Sequence, residues 1–332
     1  MNIAIVATPH EDAILQRALV ASPEHRVAWS VTSGAQAIER CAADTPDLIL
    51  MGLSLDGPMD GVETTRRIMA ATPCAILAVS EGVRADGRRL FEAMGSGALD
   101  AVDLTEPALL RSKIASSARL IADRSALASA TRARRHAVAS PAGHALIAIG
   151  ASAGGPAALA TLLAGLPKDL PAAMVIVQHV DEHMAPGLAN WLGQRSALPL
   201  RVAAEGDRPV AGTVLLAATN DHLVLKSAHR LGYTQEPRDY VYRPSVDVFF
   251  QSVSRLWRGE AIGVLLTGMG RDGALGLKAL RNQGRYTIAQ DRASSAVFGM
   301  PKAAAAVGAA VDVLPVDRIA SRVVEALAHA RP

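Results

Sequence analysis

The stretch that decides the fold is Ala145-Leu-Ile-Ala-Ile-Gly150-Ala-Ser152-Ala-Gly154-Gly155-Pro156. An apolar run typical of a buried strand ends in Gly-x-Ser-x-Gly, and a helix-compatible Ala/Leu segment follows at once. This is the layout of a nucleophile elbow, in which a serine sits on a tight turn between strand and helix. Gly-x-Ser-x-Gly also arises by chance, and Gly-rich turns bind nucleotides, so a close-packed structural turn and a nucleotide loop remain alternatives.

Two further strand ends offer partners for Ser152. The apolar run Met174–Gln178 is followed by His179, and the run Ala261–Leu266 is followed by a glycine-rich turn that contains Asp272. In an open parallel sheet, functional groups collect at the carboxyl ends of the strands. We therefore predict that Ser152 is a nucleophile, His179 its base and Asp272 the group that fixes the imidazole tautomer. The alternatives are a structural histidine and an aspartate that caps a helix.

The order of these residues restricts the class of hydrolase. The chain reads Ser…His…Asp, whereas α/β-hydrolases read Ser…Asp…His. An ordinary lipase or esterase fold is therefore not expected. The nucleotide-loop alternative is weakened because Ser152 stands where a dinucleotide-binding turn has its second glycine, which lets phosphate approach closely.

Five segments, in this order, resemble the catalytic domain of the chemotaxis protein-glutamate methylesterases, the CheB family: IGASAGGP, VIVQH, RPSVDVFFQSV, VLLTGMGRDGALGL and IAQDRASSAVFGMP. The similarity spans about residues 144–330. It implies an esterase that removes methyl groups from glutamate side chains of methyl-accepting chemoreceptors, releases methanol and deamidates certain glutamines. It also implies the triad Ser152, His179 and Asp272.

The same resemblance implies where an oxyanion would be held. Backbone groups around Met269 and Gly270 would supply the contacts, with support from Ala153. Ala153 stands where other members have threonine, a departure that is expected to weaken one accessory hydrogen bond and to leave the triad intact.

Composition restricts the function further. The 332 residues suffice for two domains, and a net charge of +3 with 3% aromatic residues argues against nucleic-acid binding. Cys41 and Cys74 are predicted to be reduced core residues, as in a cytoplasmic protein. The uncharged stretch Ala145–Leu166 contains four glycines and a proline, which favours strand–turn–helix over a membrane span. We expect a cytoplasmic enzyme with no cofactor, no metal and no membrane insertion.

The first part of the chain alternates apolar runs with amphipathic helical segments. The apolar runs predict five strands, at Asn2–Val6, Arg26–Val31, Asp47–Leu53, Ala75–Val79 and Leu99–Val102. Such βα units predict a doubly wound parallel sheet. The fold class is therefore α/β with two domains of this kind: a flavodoxin-type domain over residues 1–122 and a Rossmann-like methylesterase domain over residues 144–332. A basic flexible linker is predicted between them, over residues 123–143.

The first domain resembles a response-regulator receiver, and in particular the WspF-like branch of methylesterases, over Met59–Ile76 and Phe91–Asp103. A receiver binds a phosphoryl group through an acceptor aspartate, paired acids that hold Mg²⁺, and a lysine. Here Gly52, or Leu53 if one residue is inserted, stands at the acceptor position, and only Ser80 retains the switch hydroxyl. The nearby acids Glu11, Asp12 and Asp56 are all displaced. We predict a degenerate receiver that is not phosphorylated.

The partners follow from the resemblance. The protein substrate is expected to be the cytoplasmic domain of a chemoreceptor, and a signalling-array kinase or another protein is expected to bind through the receiver. The alternative from a different functional class is a non-catalytic regulatory or scaffold protein of a chemosensory signalling array.

Overall fold

The computed structural model describes residues 1–124, except 21 and 23, and residues 145–329, except 241. The chain divides into two compact units, Met1–Ala130 and Thr131–Pro332. The last helix of the first unit reaches Arg124, so the first two residues of the predicted linker are helical. The rest of that linker lies outside the described residues, and the linker remains a prediction.

The first unit is built on five strands: β1 (Asn2–Val6), β2 (Arg26–Val31), β3 (Leu48–Gly52), β4 (Ala75–Ser80) and β5 (Asp100–Asp103). Its helices are α1 (Pro9–Val20), α2 (Gly34–Ala43), α3 (Gly61–Ala71), α4 (Val83–Gly95) and α5 (Pro107–Arg124). The strands pair in parallel in the order β2-β1-β3-β4-β5, which is the flavodoxin-like order. The predicted strands and sheet class are therefore confirmed, each strand end lying within one residue of its predicted position.

Local sequence explains where these elements begin. Every residue of β3 is buried, as expected for a strand covered by helices on both faces. Helix α2 begins after Ser33, whose hydroxyl accepts from the Gln36 N–H, and α3 begins after Asp60, whose carboxylate accepts from the Glu63 N–H. These side chains satisfy N–H groups that have no partner within the helix.

The two cysteines are both free thiols in the first unit. Cys41 is buried on α2, as predicted, whereas Cys74 is only half-buried, which corrects the expectation of a core position. Burial, reinforced by the neighbouring Cys41, raises the pKa of the Cys74 thiol to about 12. Since the thiolate is the reactive form, this shift lowers the reactivity of Cys74 at neutral pH.

The second unit is built on a sheet of seven parallel strands: β6 (Ala145–Ala151), β7 (Ala172–Gln178), β8 (Leu200–Val202), β9 (Val214–Leu216), β12 (Ala261–Leu265), β13 (Tyr286–Gln290) and β14 (Asp312–Leu314). Its helices are α6 (Gly155–Ala164), α7 (Ala185–Gly193), α8 (Val246–Leu256), α9 (Ala274–Asn282), α10 (Met300–Ala306) and α11 (Val316–His329). A separate antiparallel hairpin of β10 (His222–Ser227) and β11 (Arg230–Thr234) was not expected from the sequence.

The strand order of the large sheet is β14-β13-β12-β6-β7-β9-β8. The central strand β6 therefore lies between β12 and β7, and the chain changes its winding direction between β6 and β12. Such a switch point leaves a crevice at the carboxyl ends of the strands. The predicted Rossmann-like doubly wound sheet is confirmed, and its crevice lies where the three candidate residues follow their strands.

Across the described residues, no helix combines the length and the apolar character needed to span a bilayer.

Candidate active site

Ser152 follows the last residue of β6 and is buried, with 9% of its surface exposed. Gly154 adopts a left-handed conformation, with a φ of 72°, that turns the chain into α6. The Ser152 N–H donates to the Thr267 carbonyl oxygen at 3.0 Å, so the turn is tied to the segment that follows β12. The strand–turn–helix expected from the sequence is present, and the serine lies at the start of a helix.

His179 and Asp272 are joined directly. The His179 Nε2–H donates to Asp272 Oδ2 at 2.8 Å, and both side chains are almost fully buried. The His179 backbone N–H donates to the Ala151 carbonyl oxygen at 3.0 Å, which places it beside the Ser152 turn. The structure thus places the carboxyl ends of β12, β6 and β7 side by side and joins His179 to Asp272. Within the described residues, Ser152 Oγ makes no hydrogen bond to His179 Nδ1.

The Asp272 carboxylate accepts hydrogen bonds from several donors besides His179. These donors are Ser245 Oγ at 2.8 Å and the N–H groups of Val246 at 2.7 Å, Asp247 at 3.0 Å and Gly273 at 3.1 Å. Burial alone would raise the pKa of Asp272, but the hydrogen bond and charge of His179 and these donors outweigh it and hold that pKa below its ordinary value. The carboxylate is therefore ionised at neutral pH.

The ionised carboxylate fixes the tautomer of His179. Because Asp272 has no proton to donate, Nε2 of the imidazole carries the hydrogen and Nδ1 carries the lone pair. Nδ1 has no hydrogen-bond partner within the described part of the chain. Nδ1 is thus the atom left to accept a proton, whereas in the serine-protease template the serine faces Nε2 and the aspartate Nδ1.

Asp272 is not the N-cap residue of the helix that follows it, although its carboxylate accepts from the first two N–H groups of α8. Helix α9 begins at Ala274 with Gly273 as its N-cap residue, and Asp247 on α8 supplies a carboxylate oxygen to the Gly276 N–H at 2.6 Å. Burial and the charge of Asp272 raise the pKa of Asp247 to about 6, even though backbone N–H groups lower it. Asp247 therefore stabilises the start of α9, whereas Asp272 links the start of α8 to His179.

Gln178 joins the turns that carry Ser152 and His179 and was not identified from the sequence. It ends β7 and is buried, and its Nε2 donates to the carbonyl oxygens of Ser152 at 2.9 Å and of His179 at 3.2 Å. A Cβ at Gly155 would lie 2.1 Å from the Gln178 side-chain oxygen, so a glycine is needed there. A polar residue at the end of an apolar strand was the available signal.

The loop 268–270 lies against Ser152. A Cβ at Gly268 would lie 2.7 Å from Ser152 Cβ and 2.2 Å from Met300 Sδ, so only glycine allows this approach. Two hydrogen bonds join the loop to the segment 297–300. The Gly268 N–H donates to the Val297 oxygen at 3.0 Å, and the Met300 N–H donates to the Gly268 oxygen at 2.8 Å. This gives the segment FGMP of the fifth motif a structural role.

The predicted oxyanion donors lie around this loop. Because the Ser152 N–H is already bonded to Thr267, an oxyanion requires other N–H groups. Thr267 Oγ1 donates to the Ala153 oxygen at 2.9 Å and so fixes that peptide, while Met269 and Gly270 follow directly in the loop. Backbone N–H groups in such turns stabilise developing negative charge. The assignment of Ala153, Met269 and Gly270 remains a prediction.

Ser245 and His222 support Asp272 and were not identified from the sequence. Ser245 is the N-cap residue of α8 and donates through Oγ to Asp272. Its N–H donates to Nδ1 of the fully buried His222 at 3.0 Å, and Nε2 of that ring lies 3.0 Å from the Pro237 oxygen. Because Nδ1 accepts a hydrogen bond, the proton of His222 lies on Nε2 and is donated to Pro237.

The predicted phosphorylation region of the first unit has a different geometry. Gly52 ends β3, and a Cβ there would lie 2.8 Å from Glu11 Oε2. This Glu11 oxygen accepts from the Thr8 N–H at 3.0 Å and from Thr8 Oγ1 at 2.9 Å, while the Glu11 N–H lies 3.3 Å from Thr8 Oγ1. This reciprocal pair is a capping box at the start of α1. Its carboxylate occupies the space above Gly52.

The other residues of that region are also engaged. Ser80 Oγ donates to Asp86 at 2.6 Å, and Asp12 accepts from Ser30 at 2.9 Å. The Asp56 N–H donates to the Thr32 oxygen at 2.9 Å, beside β2. Within the described residues of both units, no group of three or more His, Cys, Asp or Glu side chains is placed to hold a metal ion.

Comparison with known proteins identifies the family of this chain. Residues 147–323 match the family described as CheB methylesterase. A relative from Mesorhizobium japonicum, named protein-glutamate methylesterase/protein-glutamine glutaminase, is 53% identical over 98% of this chain and 98% of its own length. A relative from Cupriavidus pinatubonensis with the same name, numbered 1, is 54% identical over 96% of this chain and 95% of its own length.

A solved structure agrees as well. The crystal structure of the Thermotoga maritima CheB methylesterase catalytic domain is 33% identical, with a TM-score of 0.54, and covers 56% of this chain and 100% of that domain. The family match, the near full-length relatives and this structure lead to one conclusion: the chain belongs to the CheB methylesterase family.

Proposed function

We propose that this chain is a protein-glutamate methylesterase that hydrolyses glutamyl methyl esters on the cytoplasmic domain of a chemoreceptor and releases methanol. The observation that carries the proposal is the pair of His179 Nε2 and Asp272 Oδ2, 2.8 Å apart, at the ends of the strands on either side of the one that presents Ser152. The names of the near full-length relatives support the substrate class. We place the reaction in the cytoplasm, where such receptor domains lie.

The geometry supports a two-step mechanism. Nδ1 of His179 takes the proton of Ser152 Oγ while the oxygen attacks the ester carbonyl carbon, and the imidazolium is stabilised by Asp272. Backbone N–H groups of Ala153, Met269 and Gly270 hold the tetrahedral oxyanion. When the intermediate collapses, Nδ1 returns the proton to the methoxy oxygen, methanol leaves, and the glutamyl group remains esterified to Ser152.

The second step regenerates the enzyme. A water molecule gives its proton to His179 Nδ1 and attacks the glutamyl–Ser152 ester, and collapse returns the proton to Ser152 Oγ and frees a glutamate side chain. The same steps convert a glutamine side chain to glutamate if ammonia replaces methanol as the leaving group. Deamidation at the same site, as the relatives' names indicate, is part of the proposal.

Methanol release from a methylated receptor tests this function. Membranes that carry a receptor with isotopically labelled methyl esters are incubated with the full chain, and labelled methanol is measured against membranes alone. We expect release in proportion to the amount of chain. If the folded chain binds the receptor and leaves its methyl groups in place, the scaffold alternative is correct instead.

Chelation is expected to leave the activity unchanged. Every step of the proposed mechanism uses side-chain and backbone groups of this chain, so no step depends on a bound metal. The measurement is the rate of methanol release after exhaustive EDTA treatment and buffer exchange. Restoration of a lost rate by zinc or magnesium would contradict the metal-free mechanism.

For the first unit we propose a degenerate receiver that regulates through protein binding, without phosphorylation. The support is that Gly52 stands at the acceptor position and that the Glu11 carboxylate fills the space above it. The binding partner is a signalling-array kinase or another protein of the same array. Membership of the WspF-like branch rests on Met59–Ile76 and Phe91–Asp103 and is part of this proposal.

Beryllofluoride with Mg²⁺ is expected to change neither the melting temperature nor the methanol release of the full chain. This phosphoryl mimic needs an acceptor carboxylate with a metal beside it, and Glu11 is held in its capping box. A receiver with an intact acceptor aspartate serves as the positive control for the reagent. A stable phosphoprotein that maps to Asp56 after treatment with acetyl phosphate would overturn this proposal.

A further inference from the structure

One aromatic ring covers the candidate base. The Tyr242 ring is stacked on the His179 imidazole, with 4.4 Å between the ring centroids and 8° between the planes. Tyr242 is half-buried and lies in the segment that precedes α8, distant from His179 in the sequence. Neither the five motifs nor the strand ends identify it.

The segment that carries Tyr242 is anchored by the same groups that hold Asp272. Ser245, three residues further on, donates through Oγ to Asp272 and through its N–H to His222. A Cβ at Gly270 would lie 3.5 Å from Tyr242 Oη, so the tyrosine also borders the loop that faces Ser152. The segment that carries the ring is therefore anchored by contacts that do not involve His179.

The imidazole needs a second constraint. Its Nε2 is bonded to Asp272, and its Nδ1 has no hydrogen-bond partner within the described residues. One hydrogen bond fixes one edge of a ring but leaves its plane free to turn about that bond. Stacking against Tyr242 fixes the plane, and the negative face of an aromatic ring also favours a cation beside it, as when His179 holds the serine proton.

We propose that Tyr242 is a positioning residue for His179: its ring sets the plane of the imidazole so that Nδ1 faces Ser152, and it stabilises the imidazolium formed during the reaction. This deepens the proposed function and rests on the assignment of His179 as the base. The role belongs to the aromatic ring and not to the phenol oxygen.

Two variants separate the ring from a general structural role. Tyr242→Phe keeps the ring and removes Oη, whereas Tyr242→Leu removes the ring and keeps an apolar side chain. For Tyr242→Leu we expect kcat to fall on the order of 10-fold with KM changed by less than about 2-fold, and Tyr242→Phe to stay within about 2-fold of the parent in both. Melting temperatures of both variants check that the fold is retained.

A second assay does not depend on the receptor. A fluorophosphonate probe phosphonylates an activated serine: Ser152 Oγ bonds to phosphorus, fluoride leaves, and the hydroxyl proton passes to His179. We expect labelling of Ser152 to slow on the order of 10-fold in Tyr242→Leu and to stay within about 2-fold in Tyr242→Phe.

The two assays distinguish a wrong substrate assignment from a wrong assignment of Tyr242. If the parent releases no methanol but labelling slows in Tyr242→Leu alone, the substrate assignment fails and the role of Tyr242 stands. Equal labelling rates in the parent and in Tyr242→Leu would overturn the proposal. A loss of the same size in Tyr242→Phe would also overturn it, because the phenol oxygen would then carry the effect.

Discussion

Replacement of Ser152 by alanine is expected to abolish methanol release while the chain stays folded. The side chain supplies the only oxygen that forms the covalent intermediate, and alanine fits the same turn because the backbone there is fixed by Thr267 and Gln178. Loss of the nucleophile in serine hydrolases lowers kcat on the order of 10⁴-fold or more. The measurement is the rate of labelled methanol release at saturating receptor, with the melting temperature as the check on folding.

Two controls accompany this prediction. Ser321→Ala changes an exposed serine on α11 and is expected to leave the rate unchanged. His179→Ala is expected to be as severe as Ser152→Ala, and the double variant no worse than either, because residues that act as a unit are not additive. Near-parental demethylation by folded Ser152→Ala would refute the assignment of the nucleophile.

Asp272→Asn is expected to lower kcat on the order of 10⁴-fold, as the same change does in the serine-protease triad. The Oδ1 position accepts three hydrogen bonds and the Oδ2 position two, so the amide nitrogen of asparagine takes the Oδ2 position. There it faces His179 as a donor and forces the imidazole to carry its proton on Nδ1. The base then has no lone pair toward Ser152.

The same variant is also expected to be less stable. The amide nitrogen opposes the buried Val246 N–H, and an unsatisfied buried donor costs about 1–3 kcal/mol of the free energy of unfolding. Denaturant melts at pH 7 measure this cost, and Asp317→Asn at the exposed start of α11 is the matched control. A fully active Asp272→Asn would mean that the tautomer of His179 is set by another group.

Much of the fold was predictable from the sequence, because strands buried on both faces read as uninterrupted apolar runs. The run Ala75–Val79 became β4 and Met174–Gln178 became most of β7. The hairpin β10–β11 escaped prediction, since β10 ends in polar residues and its two strands pair only with each other. The displaced acid Glu11 was recognised, but its engagement in a capping box with Thr8 was not.

The candidate site was also predictable only in part. Ser152, His179 and Asp272 each follow an apolar run, and parallel strands place their carboxyl ends at one edge, so the sequence alone nominated the three residues. It did not predict that β12, β6 and β7 are neighbours, because strand order is decided by packing between distant segments. His179 and Asp272 are 93 residues apart in the chain and meet only in the folded sheet.

The sequence by itself thus determined the strand–turn–helix at Ser152, the two doubly wound sheets and the types of chemical group at the strand ends, since these depend on local patterns. Only the tertiary structure decided that Asp272 bonds Nε2 of His179, that Gln178 joins the two turns and that Tyr242 covers the imidazole. Side-chain orientation and long-range hydrogen bonds depend on which surfaces pack together, and no local pattern encodes that choice.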